Sequence, residues 1–337
     1  MSRRYLVIAL LLGLAGRAAG QAPEPVTWSL PVGQFTVYGT TTYTPTIVLR
    51  PRVVFDTTQG LDSSRVVDSV RTAADRHTGF AVGLSTWPTN AYCDGPMSAA
   101  MQPVVPGVLL DRLQHAARCH VRLVLVPPRR LLTGSGRQNG EFSMDSAKHL
   151  VDRYAAVLPA DTIAKYRETI LGLNLADDYD CTRCWGGRAI TQEQVAEWAA
   201  YARARLPGIP LGVRVMPNWV AEYPPLAQQL DYAWAQYATR KGEAQAYYDR
   251  AAALAERLGL RMVMGVNVEN CYALSSPPCT PEDLVRFGEI ALRHPASCAF
   301  LSWRYHEETW ARPEIREAWE GLAAAARERK AEECRKL

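Results

Sequence analysis

The 337-residue sequence has almost no excess of one charge: 38 Lys and Arg stand against 34 Asp and Glu, a difference of +4. Three of those cations, Arg3, Arg4 and Arg17, lie in the first twenty residues, so the rest of the chain holds 35 against 34, or +1. Nucleic-acid binding needs a basic footprint, and this balance predicts no nucleic-acid partner. Also missing are the GxGxxG turn of dinucleotide-binding folds, the P-loop and the GxSxG nucleophile elbow. No cofactor is therefore expected. Beyond residue 20 no apolar run approaches the ~20 residues that span a bilayer. Phenylalanine is scarce, at 6 residues, while Trp and Tyr total 24. With 48% apolar residues the chain has ample material for a core, which excludes a disordered or low-complexity chain.

What is present begins with an export signal. Ser2-Arg3-Arg4 is a basic start, residues 5–14 (YLVIALLLGL) are an unbroken apolar run, and Ala18-Ala19-Gly20 offers the small residues of a cleavage site. Residues 1–20 are predicted to be a signal peptide and the mature chain to be secreted or periplasmic, with no stable membrane anchor. In such a compartment the eight cysteines are expected to pair. The sequence specifies no oligomeric state.

Residues 21–50, rich in Thr, Pro and Tyr, read as an extended or hairpin-forming lead-in. From residue 51 to 337 a regular alternation follows. Short β-branched runs occur at 52–55, 80–84, 121–126, 170–175, 211–216, 231–237, 262–268 and 298–303. Helical patterns occur at 63–76, 107–117, 145–158, 192–206, 225–229, 243–258, 281–293 and 313–330. Thr191, Thr280-Pro281 and Arg312-Pro313 mark helix starts. Eight strands and eight helices in strict alternation predict a single (β/α)8 barrel. A doubly wound sheet is the competing architecture, and it lacks its phosphate turn here.

The C-terminal strand ends of such a barrel build its active site, and alternation separates lumen-facing from helix-facing side chains. On the fourth strand Leu171, Leu173 and Leu175 form the apolar set, leaving Asn174, Ala176 and Asp178 inward. On the seventh, Met264, Val266 and Val268 face the helices, leaving Asn267 and Glu269 inward. The fifth strand offers Arg214, Met216 and Asn218, the sixth Gln236, and the eighth Ser302, Arg304 and His306. An isolated acid at a strand end more often caps a helix or pairs with an arginine. Two on separate strands, with Arg214 nearby, are instead suited to cleaving a glycosidic bond: one protonates the leaving oxygen, the other attacks or activates water.

Acids after the fourth and seventh strands make this chain resemble the retaining glycoside hydrolases of clan A. Carried over by position, Asp178 is the acid/base and Glu269 the nucleophile. The clan's Asn-Glu pair after the fourth strand is replaced here by Asn174-Leu175-Ala176-Asp177-Asp178, so Asp177 and Asp180 remain alternatives. The resemblance implies a carbohydrate substrate, held by Arg214, Asn218, Gln236, Tyr237, Asn267, Trp185, Trp219 and Arg304. Trp87, Trp303, Tyr305 and Trp310 also fall at strand ends or in loops of that face, where their rings can stack on sugars or simply pack over the barrel mouth. A non-catalytic carbohydrate-binding barrel and a metal-assisted hydrolase using Asp177, Asp178, Glu269 and His306 are the other readings.

Cys181-Thr-Arg-Cys184 lacks the second ligand pair of a zinc site, so no metal is assigned to it. Dividing the cysteines between the two barrel faces gives the pairs 181–184, 271–279 and 298–334. Cys93 and Cys119 then remain, and their pairing requires the connection around residue 93 to descend the barrel wall.

Overall fold

The computed structural model describes His77, residues 79–272 and residues 277–335, together with the backbone of two strands near the N-terminus. Those two, Val26–Leu30 (β1) and Gly33–Val37 (β2), form an antiparallel hairpin. The proposed signal peptide and the runs at 52–55 and 63–76 lie outside the described residues.

Eight parallel strands close into a barrel: Val82–Ser85 (β3), Ala99–Pro103 (β4), Arg122–Val126 (β5), Ile170–Asn174 (β6), Leu211–Gly212 (β7), Tyr232–Tyr237 (β8), Arg261–Val266 (β9) and Ser297–Ser302 (β10). β10 pairs with β3 and completes the ring. Outside it run Leu109–Arg118 (α1), Met144–Val157 (α2), Ala160–Lys165 (α3), Gln192–Arg205 (α4), Pro217–Ala221 (α5), Pro224–Gln229 (α6), Ala244–Arg257 (α7), Pro281–Arg293 (α8), Glu307–Ala311 (α9) and Pro313–Arg327 (α10). Thr191 caps α4 in a full capping box with Gln194, and the Thr280 side chain accepts from the Asp283 amide at the start of α8.

The barrel is the predicted one, with one strand exchanged. Its second strand is β4, a stretch of Ala, Met and Gln that carries no β-branched residue. Between β3 and β4 the chain makes a single 3-10 turn at Thr89–Ala91 instead of an α-helix. This helix-free connection runs down the wall, and Cys93 within it bonds Cys119 at the end of α1. The other disulfides join Cys181 to Cys184, Cys271 to Cys279 and Cys298 to Cys334.

Two barrel layers follow from strand parity. Val82, Leu84, Leu123, Leu125, Leu173, Met264, Val266 and Phe300 pack under the helices. Ala99, Met101, Val124, Tyr232, Trp234, Val263, Ala299 and Leu301 fill the lumen. Tyr232 lies across Gly172 and Gly212, where any Cβ would collide with its ring. Simple alternation fails at two bulges. A register shift beside Ile170 places Leu171 in the lumen, although Leu173 and Leu175 face the helices. Another, between Ser297 and Ala299, puts Ala299, Leu301 and Trp303 inward, and the Ser302 hydroxyl bonds the Val266 amide in the barrel wall. Ser302 is therefore not a lumen residue.

Candidate functional site

Side chains from five strand ends converge at the C-terminal mouth. After β6 the chain stays in register through Leu175 and Ala176, which bond to Gly212 and Arg214, and then presents Asp177. The Asp177 carboxylate accepts from Arg214 Nη2, at salt-bridge contact, and from the Asp178 amide at 2.8 Å. Arg214 Nη1 donates to Gln236 Oε1 at 3.3 Å, and Gln236 Nε2 donates to the Val266 carbonyl at 3.2 Å. The guanidinium also lies 4.2 Å from the centre of the Trp303 ring. One polar chain thus links the fourth, fifth, sixth and seventh barrel strands and leans on an indole from the eighth.

This chain floors an open cavity of about 340 Å³. Asp177, Asp178, Tyr179, Asp180, Arg214, Val215, Met216, Trp234, Gln236, Ala238, Arg240, Lys241, Asn267 and Trp303 line it. Trp234 Nε1 and Arg214 Nε are buried donors without a partner among the described residues. Buried donors are rarely left unbonded in native proteins, so both are candidates to meet a ligand oxygen.

Asp177, Asp178 and Glu269 sit in different environments. Asp177 lies deep, with 24% of its side chain exposed. Burial pushes its carboxyl above the ordinary carboxylate range, and the charge of Asp178 adds to this while Arg214 opposes it. Asp178 adopts a left-handed backbone (φ +50°) and turns outward, where its carboxylate meets Arg129 at 2.7 Å and is 46% exposed. Glu269 lies outside the cavity lining, and Arg304 holds it through Nε at 3.0 Å and Nη2 at 3.4 Å. Lys241 donates to the Gln236 carbonyl and the Tyr247 hydroxyl, and burial lowers its ammonium to about 8.

Of the residues singled out in the sequence, Asp177, Asp178, Asp180, Arg214, Gln236 and Asn267 line the cavity. Others stand apart from it. Tyr237 faces the helices and packs on Phe287, with ring centres 4.8 Å apart, because its parity is opposite to that of Gln236. Asn218 is exposed on α5, the helix that Pro217 starts beyond the end of β7. Trp219 is buried beneath Tyr179 at 4.3 Å, and Trp185 is buried under Arg129, its Nε1 donating to the Asp178 carbonyl. Trp87, Tyr305 and Trp310 pack on one another rather than line the cavity. His306 caps α9, outside the cavity lining. Among the described residues no three His, Cys, Asp or Glu side chains come together as metal ligands, so Asp177, Asp178, Glu269 and His306 do not assemble a metal centre.

Among the lining residues that escaped the sequence reading are Trp234, Arg240 and Lys241. Trp234 shares the parity of Gln236, which was signal enough to find it. Arg240 and Lys241 sit in the turn after β8, where only the rule that sites occupy such loops points to them. The alternation that places Ser302 and Arg304 inward puts Trp303 outward, and the bulge in β10 turns it in.

No family model matches the sequence, and no curated protein matches it. Solved structures do resemble the fold. The β-galactosidase of the psychrophilic Marinomonas ef1 is 10% identical over 73% of this chain and 59% of its own, with a TM-score of 0.50. An endocellulase from Pyrococcus horikoshii is 11% identical over 72% of this chain and 92% of its own, with a TM-score of 0.47. A GH18 chitinase from Pseudoalteromonas aurantia is 10% identical over 73% and 99%, with a TM-score of 0.46. At these identities the likeness is one of barrel fold and does not extend to chemistry.

Proposed function

We propose that this chain is an exported glycoside hydrolase-like enzyme. Its proton donor is Asp177 rather than the neighbouring Asp178, and Glu269 is its second carboxylate. The observation that carries this reading is a deep carboxyl with a raised pKa on the floor of a cavity that indoles flank. A general acid must hold its proton near working pH and reach the substrate, and Asp177 combines burial with an open face. Asp178 is less suited, because its carboxylate is exposed and taken up by Arg129. Trp303 and the buried Nε1 of Trp234 border the cavity, and Arg214, Gln236 and Asn267 offer hydrogen-bonding groups to a sugar. Arg304 holds the Glu269 carboxylate and sets its own guanidinium 5.5 Å from the Trp303 ring. The four disulfides fit export through residues 1–20.

A second reading is favoured by one observation. Asp177, Asp178 and Glu269 are each matched to an arginine, as they would be in a barrel that binds glycan without cleaving it. Turnover of an oligosaccharide panel by the purified chain, with Asp177→Asn and Glu269→Gln alongside, separates the two. Loss of cleavage with glycan binding retained supports the enzyme. Glycan binding by all three proteins with no cleavage by the wild type establishes the binder. Cleavage that survives Asp177→Asn overturns the assignment of the proton donor. A carboxyl separation of ~5–5.5 Å in a substrate complex would accompany retention, and ~6.5–9.5 Å inversion.

A further inference from the structure

Arg240 and Lys241 differ from every other cation of the mouth. Arg129, Arg214 and Arg304 each hold a carboxylate, whereas Arg240 and Lys241 have none among the described residues. The Lys241 ammonium is half-buried and donates only to neutral oxygens, the Gln236 carbonyl at 2.9 Å and the Tyr247 hydroxyl at 3.1 Å. Asp180, the remaining carboxylate of the cavity, is exposed and lies beyond ion-pair distance of both. The half-buried Lys241 ammonium and the exposed Arg240 guanidinium beside it therefore line the cavity without a counter-charge among the described residues. Such an arrangement costs free energy that an anion would recover.

We propose that Arg240 and Lys241 form a subsite for the anionic group of an acidic saccharide, a uronic carboxylate or a sulfate ester. The proposal rests on the carbohydrate reading above and names the class of sugar. The guanidinium provides a planar fork and the ammonium a point charge, a combination suited to an oxyanion on a ring held in the cavity that both residues line. The electrostatics agree: burial holds Lys241 at about 8, with Arg240 contributing, and a bound anion would act against both causes.

The test is calorimetric titration of the full chain with D-glucuronate, D-glucose 6-sulfate and D-glucose. At least one acidic sugar should bind about tenfold more tightly than glucose, and which one does so identifies the oxyanion. Arg240→Gln and Lys241→Met should each bring the acidic sugar towards the affinity of glucose, with circular dichroism confirming the fold. Arg240 is exposed, so its variant keeps the test open should Lys241→Met fail to fold. At pH 8 the favoured sugar should draw up to about half a proton from the buffer, because an anion raises the ammonium's pKa. Equal binding of the three sugars, or a preference that survives both substitutions, overturns the proposal. If equal binding is found while Asp177→Asn still abolishes cleavage, the subsite falls and the enzymatic reading stands. If no sugar binds and none is cleaved, both fall.

Discussion

The two ends of this barrel use the same residue types for opposite purposes. At the base, arginines are tied to the backbone of the C-terminal segment and its neighbours. Arg329 donates to the carbonyls of Leu292, His294 and Ser297, and Arg122 donates to Gly79 at 2.8 Å. Arg261 pairs with Glu332 at 2.8 Å, and Cys298–Cys334 fastens the tail to the first turn of β10. Each of these guanidiniums has at least one fixed acceptor, although Arg261 Nε, like Arg214 Nε at the mouth, is a buried donor without a partner among the described residues. At the mouth, Arg129, Arg214 and Arg304 pair directly with carboxylates, while among the described residues two buried donors lack partners and two cations lack anions. Arginines anchored to fixed acceptors at the base add stability, whereas two cations left without an anion at the mouth are held in reserve for a ligand.

The contrast breaks most sharply at Asp177. Asp177→Asn should lower turnover by roughly 10²–10⁴-fold with little change in melting temperature, as expected for loss of a general acid. The raised carboxyl pKa also sets a pH dependence. Wild-type turnover should fall as pH rises through that pKa, since the donor loses its proton. Stability moves the same way. A pKa higher in the folded than in the unfolded chain contributes stability fully below about pH 4, and this is lost as pH rises through the folded value. The Asn variant should lack this change when urea midpoints are compared across pH.

Opening Cys298–Cys334 is the matching experiment at the base. The bridge closes 36 residues of separation, so its removal by paired Ser substitution should cost about 3–4 kcal/mol in denaturant unfolding, with activity per folded molecule unchanged. A smaller pair sharpens the comparison. Arg329→Met should cost about 1–3 kcal/mol, by orphaning three carbonyls, and spare turnover. Arg214→Met should do the reverse, moving the pH profile of turnover upward as Asp177 loses its compensating charge. If both arginines changed stability alike, the division between the ends would not hold.

The fold was largely legible because burial imposes period. Seven of the eight barrel strands stand where β-branched runs put them. The eighth position in the count went to 52–55 on the strength of Val-Val-Phe, while the actual β4 is Ala-Ala-Met-Gln-Pro, with little β propensity of its own. Ala99 and Met101 fill the lumen and Ala100 packs outward, so packing overrode propensity there. The site was less legible for a related reason. Strict alternation found Gln236 and Asn267 but misassigned Trp303, because one bulged residue reverses parity. Asp177 and Asp178 stand beyond the last strand residue, where periodicity no longer governs direction. The left-handed turn at Asp178 decides which of the two carboxylates faces the floor.

Lys241 supplies the smallest expected effect and the finest test of the contrast, because water still reaches its ammonium. Its pKa of about 8 in the folded chain lies below the ~10.4 of an unfolded lysine. Between those values the unfolded chain binds more protons, so the cost of the buried ammonium is full below about pH 8 and is relieved as pH climbs from about 8 to 10. Lys241→Met removes that slope. At pH 7 the Met variant should be at least as stable as wild type, and its relative advantage should shrink as the pH approaches 10. Arg240 and Tyr247 adjoin the amine, and both variants retain them, so the difference between two urea titrations isolates the lysine. A flat difference across pH 7–10 would mean that the ammonium is solvated like any surface lysine. The mouth would then hold no charge in reserve at that position.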